Sequence, residues 1–205
     1  MITIVDYGMG NLRSVSNALR TIGVPAMITS APKLVAQAER LILPGVGAFG
    51  SAMRELTARG LVDPIREYIR SGKPYLGICL GLQLLFDSSE ESATTPGFGV
   101  FKGSVRRFPE RSGLKVPHMG WNQISRTPNT KKKNALLDAV PDGSFVYFVH
   151  SYFADPQDRS LVTLETEYGV KFASMISQGN IYATQFHPEK SQMLGLSLLE
   201  RFARA

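Results

Sequence analysis

The sequence holds a single cysteine, Cys79, and its neighbours are those of a nucleophile. Gly77-Ile78-Cys79-Leu80-Gly81 has the form glycine, any residue, nucleophile, any residue, glycine. In that form the reactive residue sits on a strained strand-to-helix turn, where flanking glycines leave room for crowded backbone. A thiol there meets the free N–H groups of a helix N-terminus, which favour the thiolate. The same turn aims the N–H of Leu80 at an oxyanion formed beside the sulfur. Gln83, four residues on, shares a face with the thiol in an otherwise apolar segment. A buried amide needs a polar partner, either a bound substrate or a backbone group.

A thiolate that forms a covalent intermediate also needs a proton donor for the leaving group and a base for the second step. Among His118, His150 and His187, only His187 has a carboxylate placed to orient it, in His187-Pro188-Glu189. Residues two apart in an extended segment face the same way, so Glu189 can hold one ring nitrogen while the other faces the thiol. Pro188 fixes φ between them. Cys79, His187 and Glu189 therefore read as nucleophile, base and orienter. The order is not that of α/β-hydrolases, in which the acid precedes the histidine on a separate loop. His118 and His150 read as structural or interface residues.

A second oxyanion donor is expected from Pro44-Gly45-Val46-Gly47, which follows the apolar run RLIL and falls at the carboxyl end of a parallel strand. Gly45 and Gly47 allow the peptides around Val46 unusual conformations. The stretch 8-GMGN-11 invites a dinucleotide reading, but Arg13 stands where the third glycine of that fingerprint belongs. No acidic residue ends the second strand either, since Thr29 and Ser30 are there. A nucleotide cofactor is rejected and none is expected.

The elements that must carry these residues alternate strand and helix in the first half. ITIVDY, VPAMIT, RLILP and KPYLGIC read as strands. Asn11 to Ile22, Lys33 to Ala38, Ala48 to Arg70 (interrupted near Pro64) and Leu80 to Phe86 read as helices. Such alternation implies a mostly parallel sheet with helices on both faces. The second half turns to strands, GVFKGSVRRF, GWNQISR, GSFVYFVHSYF, LVTLETEY, VKFASMIS and NIYATQF, before a helix from Gln192 to Arg204. The expected architecture is one α/β domain over residues 1–205 with an added antiparallel portion.

Composition excludes several alternatives. With 43% hydrophobic and 20% charged residues the chain is an ordinary globular sequence, and no apolar run is long enough to cross a bilayer. It reads as cytoplasmic. One cysteine forms no internal disulfide, and three scattered histidines lack zinc spacing. The net charge of +6 comes from dispersed groups: Arg106, Arg107, Arg111 and Lys115 in one region, Lys131 to Lys133 in another. Aromatics do not interleave with them as on a single-strand platform, so nucleic acid is not the expected partner.

Taken together, DYGMGNLRSV, LPGVGAF, GICLGLQLLF, PHMGWN, YFVHSYF and ATQFHPEKS resemble the class I, triad-type glutamine amidotransferases across nearly the whole chain. The likeness is greatest to the glutaminase subunits that serve a cyclase of histidine biosynthesis. Leu82 stands where relatives serving anthranilate or carbamoyl phosphate synthesis carry histidine, and where the nearer group has methionine. The resemblance implies that Cys79 attacks the carboxamide of glutamine, that His187 serves the leaving ammonia, and that Glu189 orients His187. It implies an oxyanion hole of Leu80 and Gly45-Val46-Gly47, and glutamine held by Gln83 and the backbone around Ser151. It implies a (β/α)₈-barrel cyclase as partner in a heterodimer, met at Asn11, Trp121 and Lys190. A glutaminase for another ammonia-using synthase is the alternative.

Overall fold

The structure is a computed structural model and describes residues 1–110, 114–131 and 136–205. Arg111, Lys132 and Lys133 lie outside the described residues.

Four strands pair in parallel, the half-exposed β2 (Ala26–Thr29) at the edge and the buried β1 (Ile2–Val5), β3 (Arg40–Gly45) and β4 (Tyr75–Cys79). Helices α1 (Leu12–Thr21), α2 (Pro32–Ala36), α3 (Phe49–Ala58) and α4 (Val62–Arg70) join them. After β4 come α5 (Leu80–Gln83), β5 (Phe86–Ser89), β6 (Phe101–Arg107), β7 (His118–Gln123), β8 (Ser125–Arg126), β9 (Phe145–His150) and β10 (Tyr152–Pro156). The chain then runs through β11 (Val162–Tyr168), β12 (Val170–Gln178) and β13 (Ile181–Thr184) to α6 (Gln192–Arg204).

The main sheet has the order β2-β1-β3-β4-β13-β12-β11-β8, parallel from β2 to β13 and antiparallel beyond. The antiparallel portion expected from the second half is thus largely an extension of the same sheet. The remainder forms a three-stranded sheet, β10-β6-β5, and the ribbon β7-β9.

Alternation along the strands builds two cores. Leu41, Leu43 and Tyr75 face α3 and α4 through Leu56, Ile65 and Tyr68, while Ile42, Leu76 and Ile78 face α1 and α6 through Leu19, Leu199 and Phe202. Each such side chain, wholly withdrawn from water, stabilises the fold by roughly 1.5–3 kcal/mol before entropy is counted. The α/β class is as the sequence implied.

Several element boundaries differ from the sequence reading, among them GWNQISR, which is divided between β7 and β8 in two different sheets. The helix expected from Leu80 to Phe86 ends at Gln83, and Phe86 instead pairs with Phe101 across β5 and β6. A run that is buried on every side has no period to mark where helix gives way to strand. The break between α3 and α4 falls at Gly60, which has φ +64°, and not at Pro64. Pro64 lies in the first turn of α4, where its missing N–H costs no hydrogen bond. GSFVYFVHSYF is two strands, β9 and β10, in two different sheets.

Candidate functional site

The nucleophile elbow is a steric construction. A Cβ on Gly81 would lie 1.9 Å from the Leu43 carbonyl oxygen, and one on Gly77 would lie 2.5 Å from the Gly81 carbonyl oxygen. Only glycine lets β4 turn so tightly into α5. Cys79 at the corner has φ +55° and ψ −105°, a conformation that costs on the order of 1–3 kcal/mol for a residue with a side chain. That strain lifts the sulfur onto the wall of a cavity of about 420 Å³. Val46, Gly47, Ala48, Leu80, Gln83 and Ser151 line the same cavity.

The strand register sets the oxyanion loop beside the thiol, since Gly45 of β3 is paired with Cys79 of β4. A Cβ on Gly45 would lie 2.5 Å from the hydroxyl of Tyr7, so that wall admits only glycine. Gly47 has φ +93°, and Val46 between them is 38% exposed. The Tyr7 hydroxyl is buried without a hydrogen-bond partner, and burial, with the charge of Cys79 added, raises its pKa well above the ordinary tyrosine value.

His187 follows β13, the neighbour of β4 on its other edge. Its Nδ1 is 2.8 Å from Glu189 Oε1, with both side chains buried. Since a carboxylate only accepts, Nδ1–H donates and Nε2 is left free. The pair is made by a 3₁₀ turn at Pro188–Lys190 and not by the extended segment expected from the sequence. Proline at the first position of the turn sets the bend.

Burial pulls the His187 imidazolium down, but the charge of Cys79, joined by the hydrogen bond and charge of Glu189, outweighs it and carries the pKa up to about 10. His187 Nε2 and Glu189 Oε2 are buried without hydrogen-bond partners.

The remaining residues singled out from sequence separate into two groups. Gln83 donates through Nε2 to the Tyr152 carbonyl at 2.9 Å and to Gln185 Oε1 at 3.1 Å, so protein groups satisfy it while it lines the cavity. Ser151 is half-buried on the cavity wall, its carbonyl accepting from the Phe108 N–H at 3.1 Å. Asn11, Trp121 and Lys190 do not line the cavity. Asn11 caps α1 by accepting from the Ser14 N–H. Trp121 of β7 is 46% exposed and meets Tyr147 of β9 edge to face, and the Lys190 ammonium lies 5.5 Å from the centre of the same Tyr147 ring.

His118 and His150 face each other in the β7–β9 register, 3.0 Å apart between ring nitrogens. Phe108, Phe148 and Phe172 surround them. Two residues of the site went unnoticed in the sequence. Glu91 lines the cavity and accepts from the Phe49 N–H at the start of α3, at 2.6 Å. Gln185 donates to Cys79 Sγ at 3.5 Å. Among the described residues no cluster of three or more His, Cys, Asp or Glu could hold a metal ion, and no helix is long and apolar enough to cross a membrane.

The chain belongs to the class I glutamine amidotransferase family, whose model matches residues 3–204. A solved glutamine amidotransferase shares the fold with a TM-score of 0.74 at 19% identity, covering all of both chains. Within the family, the imidazole glycerol phosphate synthase subunit HisH of Rhodopirellula baltica is 54% identical over 205 residues, covering 100% of this chain and 98% of that protein. The subunit of the same name from Geobacter sulfurreducens is 51% identical over 206 residues, covering 98% of this chain and 97% of that one. Identities of this order over full length place the chain among the HisH subunits.

Proposed function

We propose that this chain is the glutaminase of an imidazole glycerol phosphate synthase, with Cys79 as nucleophile, His187 as acid and base, and Glu189 as orienter. The observation that carries the reading is Cys79 on the wall of a cavity large enough for an amino acid, with the buried His187–Glu189 pair close enough for the charge of Cys79 to act on the imidazole.

The geometry suggests the following course. Glutamine enters the cavity beside Gln83 and Ser151, and the Cys79 thiolate adds to its carboxamide carbon. The negative charge moves to the carboxamide oxygen, held by the N–H of Leu80 and one from the Gly45-Val46-Gly47 loop. His187, protonated at Nε2 because its pKa is raised, gives that proton to the departing ammonia. Now neutral, it takes a proton from water, which cleaves the thioester to release glutamate. Glu189 keeps the ring in place and balances its charge throughout.

Ammonia in neutral water is mostly protonated and no longer nucleophilic, so the product is best passed directly to a second catalyst. Here that is a (β/α)₈-barrel cyclase making imidazole glycerol phosphate and an aminoimidazole carboxamide ribonucleotide, in the cytoplasm. Trp121, Lys190 and Asn11 supply its contact, with Trp121 as the apolar anchor. Glycines on either side of Val46 allow a peptide of the loop to turn its N–H toward or away from the oxyanion. Coupling of that turn to the partner would prevent idle hydrolysis.

The experiment is steady-state ammonia release from glutamine by the chain alone, with the cyclase, and with the cyclase plus its nucleotide. Activity should be weak alone and rise by about 10²- to 10³-fold in the full assembly, the worth of one oxyanion donor. Full activity in the isolated chain would remove the switch, and none under any condition would remove the glutaminase.

A further inference from the structure

We infer that Gln185 is a further catalytic residue of this site, an amide that holds the Cys79 sulfur as a thiolate through a hydrogen bond whose direction the fold dictates. The inference rests on Cys79 being the nucleophile. Gln185 is wholly buried, one residue past β13, and its backbone N–H bonds the Ser174 carbonyl at 2.9 Å. Its side-chain nitrogen reaches Cys79 Sγ at 3.5 Å.

Which end of the amide faces the sulfur follows from a chain of donors and acceptors. The Tyr152 carbonyl can only accept, and it takes His150 Nδ1–H at 2.8 Å and Gln83 Nε2–H at 2.9 Å. The nitrogen of Gln83 is therefore turned that way, and its second N–H goes to Gln185 at 3.1 Å, which must present its oxygen. Only nitrogen is left to face Cys79. The chain is consistent in the other direction too. Burial keeps His150 neutral, lowering its pKa to about 3 although the bond to the Tyr152 carbonyl acts the other way, so its Nε2 accepts from His118 Nδ1–H at 3.0 Å. His118 Nε2 then accepts from Asn122 Nδ2 at 3.2 Å. Each amide and ring is committed, and the last acceptor is sulfur.

An N–H aimed at sulfur discriminates between its two forms. A thiolate accepts strongly and a thiol weakly, so the donor shifts the balance toward the nucleophilic form. When the sulfur bonds to the carboxamide carbon its charge leaves for the oxyanion, and the Gln185 bond weakens. A leucine would fill the same space without the need to satisfy three polar groups where burial is complete. The titratable groups that face the sulfur are His187 and Tyr7, with Glu189 behind His187 and with His150 and Glu91 on the cavity wall.

The test is the rate of Cys79 alkylation by iodoacetamide as a function of pH, in the native chain and in Gln185→Met, which keeps the length and removes the donor. The variant's profile should be displaced upward by about one pH unit, with alkylation about tenfold slower on its rising limb. Superimposable profiles would overturn the proposal. Should Gln185→Met fail to fold, the native chain decides. Its Gln185 side-chain amide resonance should move over the pH range in which alkylation rises and stay still in Cys79→Ala. A resonance that does not move in the native chain would overturn it. Alkylation needs no glutamine, so a chain that fails to hydrolyse glutamine would still report on this bond.

Discussion

All three histidines are buried, at 3% exposure for His118, 6% for His150 and 2% for His187, yet the fold drives them in opposite directions. Burial in the aromatic nest lowers His118 to about 4 and His150 to about 3, whereas His187 rises to about 10 against the same desolvation. The difference lies in the company. In the nest each ring meets another neutral ring, carbonyl or amide, and a proton there would bring charge with no counterion. At the elbow, a thiol and a carboxylate wait on either side of one imidazole. Burial amplifies whatever charge partners a site contains, and without them it removes charge.

The comparison breaks most completely at the sulfur. Cys79→Ala should lower glutamine hydrolysis by more than about 10⁴-fold, since residues that act as one unit fail together. A cyclase bound to the variant should still use added ammonium salts. Loss of both activities in a folded complex would count against a division of labour.

Removing the carboxylate tests the other partner. Glu189→Gln should slow turnover by roughly 10²-fold or more, less than the loss of the nucleophile. With that negative charge gone the imidazolium is less favoured, so the alkaline limb of the kcat/KM profile should move to lower pH. An unmoved limb, or a loss equal to that of Cys79→Ala, would remove Glu189 from its role.

The smallest expected effect belongs to the nest. The folded pKa of His150 lies below its ordinary 6.5, so below that pH the unfolded chain binds a proton that the folded chain refuses. Stability should fall as pH drops from 6.5 toward about 3, by roughly 2 kcal/mol from this residue at pH 5. His150→Gln, though less stable at neutral pH, should show a flatter acid limb in urea unfolding followed at successive pH values. Parallel limbs in the two proteins would mean the nest imposes no such penalty.

What could be read from sequence follows from the range of the forces involved. The elbow was legible because two glycines answer a steric demand within five residues, and the His187–Glu189 pair because its members are two apart. Gln185 escaped because its partners, Gln83 and Cys79, lie 102 and 106 residues away, and in ATQFHPE it reads as one more strand position. The His118–His150 contact depends on the register of β7 against β9, which neither strand carries alone. The end of α5 was lost because Leu84 and Leu85 are buried whichever element they join.

The place of β13 has a consequence in time. It is the last strand along the chain and the fifth across the sheet, seated between β4 and β12. During synthesis the thiol-bearing β4 is therefore finished early and keeps one edge open until residues 181–184 arrive. An open edge on a growing polypeptide invites pairing with other chains, and long-range closures of this kind fold slowly. The same delay has a protective side. The strand that seals the edge also delivers Gln185, His187 and Glu189, so the cysteine cannot be armed before the sheet is whole.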